Sequence, residues 1–186
     1  VIGNPIEHSL SPLLHNYWFK KHGILDSIYE KQKVDKRDLK RIIEQVKNGE
    51  IKGVNITVPF KREIFDYLDS TSREVKLTKS VNTILKEGNK VVRYNTHQGG
   101  YEISIQKKNR KPEGKKILIL GAGGATPSIL LTFVKANGDN KIYLCNRTRN
   151  KAEKLKEFWD KTINLFGKNK SSIEIIDWGK KIEMCD

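Results

Sequence analysis

Lys116-Ile117-Leu118-Ile119-Leu120 runs directly into Gly121-Ala122-Gly123-Gly124-Ala125, and that junction limits the fold more than any other stretch. An unbroken aliphatic run suits a strand covered on both faces, as a parallel sheet between helices requires. The glycines turn the chain sharply. Thr126-Pro127 then begins a helix, because proline is tolerated in the first helical turn. The pattern continues with a helix to about Ala136, a strand over Lys141–Cys145, and a helix whose Ala152, Leu155, Trp159, Ile163 and Phe166 share one face. A last strand follows over Ile173–Ile176. The expected unit is β-α-β-α-β, half of a doubly wound sheet.

The first hundred residues also alternate strand and helix. A Val1-Ile2 strand stub leads into a Gly/Pro/Ser loop over residues 3–10. Ser11 is expected to cap a helix with Pro12 at its first position and Gly23 as its stop. A strand is expected near Ile28–Val34. Asp35 can cap a helix whose Leu39, Ile42, Ile43 and Val46 fall at i, i+3, i+4 and i+7, ending at Gly49. Gly53–Thr57 reads as a strand and Pro59 as the start of a helix through Leu68. Ser80–Lys86 and Lys90–Tyr94 flank Glu87-Gly88-Asn89, a hairpin signal. Asn95–Gly100 reads as a loop and Tyr101–Lys108 as a connecting helix. The expected class is α/β, with an N-terminal α/β domain over 1–100 and the first half of a Rossmann-type domain over 101–186. The single Met is Met184 and the chain opens on a strand tail, so a fragment truncated at both ends is expected.

Apolar residues make up 37% of the chain, enough for a buried core. No apolar run approaches the length of a membrane helix, and no basic-then-apolar leader opens the chain. Cys145 and Cys185 are too few for a disulfide scaffold or a Cys-rich zinc site. The expectation is a soluble protein of a reducing cytoplasm, with no metal and no membrane partner. The net charge is +14, spread over both halves of the sequence. Solvated lysine faces account for such a spread, and attraction of anionic ligands is its functional alternative. Nucleic acid is not an expected partner, since the aromatics do not interleave with a basic stripe.

The glycine turn carries chemistry. Gly121 permits the tight turn, and Gly123 lets the backbone approach a pyrophosphate at the helix N-terminus. A purely structural βα turn is the plain alternative, but the required strand–turn–helix context is met. NAD sites place Asp or Glu after the second strand to hold the ribose hydroxyls. Here that strand ends Cys145-Asn146-Arg147-Thr148-Arg149-Asn150-Lys151, with no acid and three cations. A guanidinium pairs with a 2′-phosphate through two hydrogen bonds, so NADP is expected rather than NAD. A helix start that is merely basic is disfavoured by the helix dipole.

Polar clusters lie at Gly3–Pro12, Asn55–Lys61, Val81–Thr83 and Tyr94–His97, each where a strand end leads into a loop or helix. In open α/β layers ligands bind at such edges. Ser, Thr and Asn suit a polyhydroxylated substrate, and Lys61 is the evident proton carrier. With Val1–Pro12, His15-Asn16, Asn55–Lys61, Ser80–Thr83, Asn95-Thr96, Gly99, Gly121–Ala125, Asn146-Arg147-Thr148 and Lys151-Ala152 in this order, the sequence resembles the shikimate dehydrogenase family. The resemblance implies reversible reduction of 3-dehydroshikimate to shikimate with NADPH, a step toward chorismate and the aromatic amino acids. It implies that Ser9 and Ser11 bind the substrate carboxylate, that Thr57 and Asn82 bind its hydroxyls, and that Lys61 is the catalytic acid/base. It places the pyrophosphate on the backbone of Gly121, Ala122, Gly123, Gly124 and Ala125. Asn146, Arg147, Thr148 and Lys151 would surround the 2′-phosphate, with Arg149 the third cation of the run. One position departs: His97 stands where the family has Asp, so weak or absent turnover is expected, falling further as His97 gains charge. His8, His15 and His22 are expected to be surface or packing residues, with no metal-ligand spacing. Three alternatives remain: a quinate/shikimate dehydrogenase using NAD, a non-catalytic ligand-binding relative, and a nucleic-acid-binding role. Both a monomer and a homodimer fit.

Overall fold

The computed structural model describes residues 1–64, 73–136, 138–167, 170–179 and 185. The chain divides into two compact units, Val1–Asn95 and Thr96–Asp186. Each mixes helices with a β-sheet, the α/β class that the alternating pattern implies.

In the first unit, β1 (Ile2–Gly3) pairs in parallel with β2 (Gln32–Lys33). The strands β3 (Gly53–Asn55), β4 (Thr83–Glu87) and β5 (Lys90–Tyr94) form an antiparallel sheet in that order. A parallel bridge from Ile2 to Ile56 joins the two, because β1 lies along the segment that leaves β3. The helices are α1 (Ser11–Lys21), α2 (Leu39–Asn48), α3 (Phe60–Glu63) and α4 (Arg73–Thr78).

Local chemistry starts α2. The Asp38 carboxylate accepts the Asp35 N–H at 2.8 Å, and the Asp35 side chain accepts the backbone N–H of Asp38, a reciprocal cap over a short 3-10 turn. Leu39, Ile42, Ile43 and Val46 are all buried, as their spacing implies. They pack with Ile2, Val54, Ile56, Val81 and Ile84 into one core between helix and sheet. α1 differs: none of its residues is buried, and Leu13, Leu14, Tyr17 and Trp18 are exposed.

Several boundaries move. Ser11 is the first helical residue of α1 rather than its cap; Leu10 takes the cap position and no side chain caps the helix. Only Gln32–Lys33 of the expected strand Ile28–Val34 pairs. The strand expected from Ser80 begins at Thr83, and α4 precedes it unforeseen. Residues 65–68 of the helix expected after Pro59 lie outside the described residues.

The second unit begins with α5 (Thr96–Lys107). The expected loop over Asn95–Gly100 is therefore the opening of this helix from Thr96 onward. Gly99 and Gly100 weaken a helix by only about 1 kcal/mol each, and Tyr101, next in the helix, packs edge-on against Phe133. There follow β6 (Lys116–Leu120), α6 (Thr126–Lys135), β7 (Lys141–Cys145), α7 (Arg149–Ile163) and β8 (Ser172–Ile176). The strands are parallel in the order β6-β7-β8, with Leu120 opposite Cys145 and Cys145 opposite Ile176. Ala152, Leu155, Trp159 and Ile163 are buried along α7; Phe166, beyond the helix, is only half-buried.

Leu39→Ala should lower the unfolding free energy in urea by about 2–5 kcal/mol, because it empties a fully buried site. Lys40→Ala, one residue on and exposed, should change it by less than about 0.5 kcal/mol.

Candidate functional site

In the first unit, main-chain bonds gather the polar clusters. The Thr57 N–H donates to Ile2 O at 3.0 Å, and the Asn4 N–H donates to Val58 O at 3.0 Å. The approach is close enough that a Cβ on Gly3 would lie 2.6 Å from Thr57 Cγ2, so glycine is required there. The Ile56 N–H donates to Asn82 O at 2.9 Å, and the Val81 N–H donates to Lys61 O at 2.9 Å. Thr57, Lys61 and Asn82 thus belong to segments tied directly to one another. Ser9 and Ser11 are half-buried, and Ser9 Oγ accepts the Ser11 N–H at 3.4 Å.

Burial lowers the pKa of the half-buried Lys61 ammonium from the usual lysine range. Desolvation disfavours the charged amine, which brings the group nearer to proton exchange at working pH. His97 lies elsewhere in the chain's organisation: it is the second residue of α5 and belongs to the second unit.

A side-chain network runs behind Asn82. Asn16 clamps the main chain of Tyr29 from both sides, donating Nδ2 to Tyr29 O and accepting the Tyr29 N–H, each at 2.8 Å. His15 stacks on the Tyr29 ring at 4.2 Å with planes 7° apart, so His15 is a packing residue. The Tyr29 hydroxyl donates to Asn55 Oδ1 at 2.6 Å. Asn55 Nδ2 in turn donates to Thr83 Oγ1 at 2.9 Å and to Asn82 O at 3.3 Å. The Thr83 hydroxyl donates to Asn82 Oδ1 at 3.2 Å. Asn55 and Thr83 fall inside the polar clusters, so the sequence flagged their segments without giving them work. Tyr29 carries no such signal, since its partners lie 13 and 26 residues away.

In the second unit, β6 delivers the chain into the glycine turn. Gly121 has φ +113°, a conformation side chains rarely adopt. A Cβ on Gly121 or Gly123 would meet nothing within 4 Å, so both backbones face open space. Among the described residues, the N–H groups of Gly123 and Ala125 donate to no protein acceptor. The Ala122 N–H is taken by Asn146 Oδ1 at 3.0 Å, while Asn146 Nδ2 donates to Thr148 O at 2.7 Å. Thr126, at the last position of the glycine fingerprint, donates its hydroxyl to Gly121 O at 2.9 Å and closes the turn from the helix side. Arg149 pairs with Glu153 at 2.9 Å and also with Asp177, and these two bonds raise its pKa. Arg147 and Lys151 are exposed and have no carboxylate partner among the described residues. A separate cavity of about 760 Å³, lined by Tyr101, Ile105, Ile117, Leu118 and Phe133, includes none of these residues.

Residues 1–84 match the family of the shikimate dehydrogenase substrate binding domain. A shikimate dehydrogenase (NADP(+)) of Pelagibacter ubique (strain HTCC1062) is 45% identical over 183 residues, 98% of this chain and 64% of that protein. A crystal structure of a shikimate dehydrogenase in complex with NADP+ superposes with a TM-score of 0.80 at 36% identity, over 94% of this chain and 59% of that one. Over nearly its whole length the chain is similar to shikimate dehydrogenases. The enzyme of Listeria monocytogenes, crystallised with shikimate and NAD, gives a TM-score of 0.79 at 32% identity, over 95% and 59%. The chain thus spans less than two thirds of the length of these relatives. Among the described residues, no helix is long and apolar enough to cross a membrane, and no group of His, Cys, Asp and Glu could hold a metal ion.

Within this shikimate dehydrogenase fold, Asn146 braces the glycine turn from the next strand. Asn146→Ala would leave the Ala122 N–H and the Thr148 carbonyl without these partners. Urea unfolding should show a loss of about 1–3 kcal/mol. A loss below about 0.5 kcal/mol would mean that the turn holds its shape without the brace.

Proposed function

We propose that the protein works as an NADP-linked oxidoreductase that interconverts 3-dehydroshikimate and shikimate. The observation that carries this reading is the hydrogen bond from Val81 N–H to Lys61 O, which ties a half-buried lysine to the segment bearing Asn82. A proton carrier beside uncharged hydrogen-bonding groups is what reduction of a carbonyl on a polyhydroxylated ring calls for. Thr57 and Asn82 hold the substrate hydroxyls, Ser9 and Ser11 hold its carboxylate, and Lys61 moves the proton to or from the reacting oxygen.

The open backbone of the glycine turn suits a dinucleotide pyrophosphate, with Gly123 and Ala125 offering N–H groups and Gly121, Ala122 and Gly124 shaping the turn. NADPH, when bound, supplies the hydride. Arg147 and Lys151 take the 2′-phosphate, with Thr148 beside them and Asn146 holding the turn. Arg149 contributes less, because Glu153 and Asp177 already meet its charge. His97 stands where the family resemblance places a carboxylate, and it limits the rate rather than the affinity for either ligand.

Cofactor choice follows from Arg147. NADPH should bind at least about tenfold more tightly than NADH, the scale of a charge-assisted pair. Calorimetric titration should show Arg147→Ala erasing that gap while NADH binding stays near its original value. Arg149→Ala should leave most of the gap in place, and equal affinities in the unsubstituted protein would exclude the 2′-phosphate role.

Lys61 gives a pH-dependent prediction. Its neutral amine accepts the proton when shikimate is oxidised, and burial favours that neutral form. Oxidation should therefore rise with pH through an inflection below 10.5, and reduction of 3-dehydroshikimate should fall through the same one. Lys61→Ala should cut turnover by about 10²–10⁴-fold and remove the inflection. Steady-state rates across pH for both forms are the measurement; an unchanged profile would assign the proton to another group.

A further inference from the structure

We propose that Tyr29 is a positioning residue that sets the direction of the Asn82 side-chain amide through Asn55 and Thr83. This role rests on the reading of Asn82 as a substrate-binding residue.

A hydroxyl has one proton and an amide has distinct donor and acceptor ends, so each bond in the chain dictates the next. Tyr29 gives its only proton to Asn55 Oδ1, at 2.6 Å. Asn55 is thereby held with Nδ2 toward Thr83 and the Asn82 carbonyl. Thr83 Oγ1, already accepting from Asn55, spends its own proton on Asn82 Oδ1. The Asn82 amide is fixed in the flip whose oxygen faces Thr83, and it meets a ligand oxygen with Nδ2 as donor. The Asn82 main-chain carbonyl, which can only accept, holds Asn55 in the same sense as Tyr29 does.

Tyr29 is built to act as the fixed donor. Its main chain is clamped on both sides by Asn16, and its ring is stacked by His15. Burial raises its pKa to about 12, so it keeps its proton across the range in which Lys61 titrates. Asn55 and Thr83 are directly paired across β3 and β4, which keeps their side chains adjacent. A half-buried hydroxyl held this way reinforces that direction, and a phenyl group of the same shape would remove its share of it.

The test is a double-mutant cycle on shikimate affinity, read by calorimetry with the protein as it stands. Asn82→Ala should weaken shikimate about tenfold, and Tyr29→Phe at least about threefold, with NADP+ affinity unchanged. Tyr29→Phe placed in the Asn82→Ala background should weaken it no further, because the amide it orients is gone. Thr83→Val should reproduce the Tyr29→Phe effect, and Thr83→Ser should restore affinity; this pair decides the matter if Tyr29→Phe fails to fold. The Asn82 side-chain amide signals in a ¹H–¹⁵N spectrum should move in Tyr29→Phe without any ligand present.

Equal losses from Tyr29→Phe in both backgrounds would overturn the proposal, since Tyr29 would then act independently of Asn82. Unmoved Asn82 signals would overturn it too. Normal affinity in Asn82→Ala, or no shikimate binding by the unsubstituted protein, would show that the substrate reading itself is wrong, and the proposal would fall with it. A weakened Asn82→Ala beside an unaffected Tyr29→Phe would leave that reading standing and remove the relay alone.

Discussion

The hydrogen bond from Thr57 N–H to Ile2 O, together with that from Asn4 N–H to Val58 O, holds the first unit together. Without this parallel contact, the short β1–β2 pair and the antiparallel β3-β4-β5 sheet would be separate fragments, each too small to support α2. With it, Ile2, Val54, Ile56 and Ile84 form one apolar surface, and α2 covers it. The same contact presses Thr57 against Gly3, where no side chain fits. Core and candidate site therefore share one constraint. What closes the sheet also fixes the position of the residues at its end.

The second unit solves its local problem by a different route. Its parallel strands need no special approach, since the middle residues of β6 and β7 are largely buried and apolar. The demand falls on the turn, where Gly121 takes its rare conformation. Asn146 from the end of the neighbouring strand β7 and Thr126 from the helix hold that turn through Ala122 N–H and Gly121 O. These two side chains leave the Gly123 and Ala125 N–H groups without a protein acceptor among the described residues, as an anion cradle needs.

Sequence alone discloses the parts whose signals are local. The periodicity of Leu39, Ile42, Ile43 and Val46 sets out α2, and the Lys116–Leu120 run followed by glycines sets out β6 and the turn. The start of α5 is hidden because Gly99 and Gly100 read as breakers, while the packing of Tyr101 on Phe133 is invisible in one dimension. The three cations after Asn146 look alike in sequence. Folding separates them, because Asp177 approaches Arg149 from 28 residues away. Tyr29 is the extreme example. Nothing about its neighbours marks it, and its role comes entirely from partners brought in by the fold.

Under the proposed function, the first unit holds the substrate and the second the cofactor. Chemical-shift mapping of the ¹⁵N-labelled protein tests that division most directly. Shikimate is expected to move backbone signals of Ser9, Ser11, Thr57, Lys61 and Asn82, and NADP+ those of Gly121–Thr126 and Asn146–Lys151. Shikimate shifts centred on the glycine turn, or NADP+ shifts centred on Thr57 and Lys61, would contradict it.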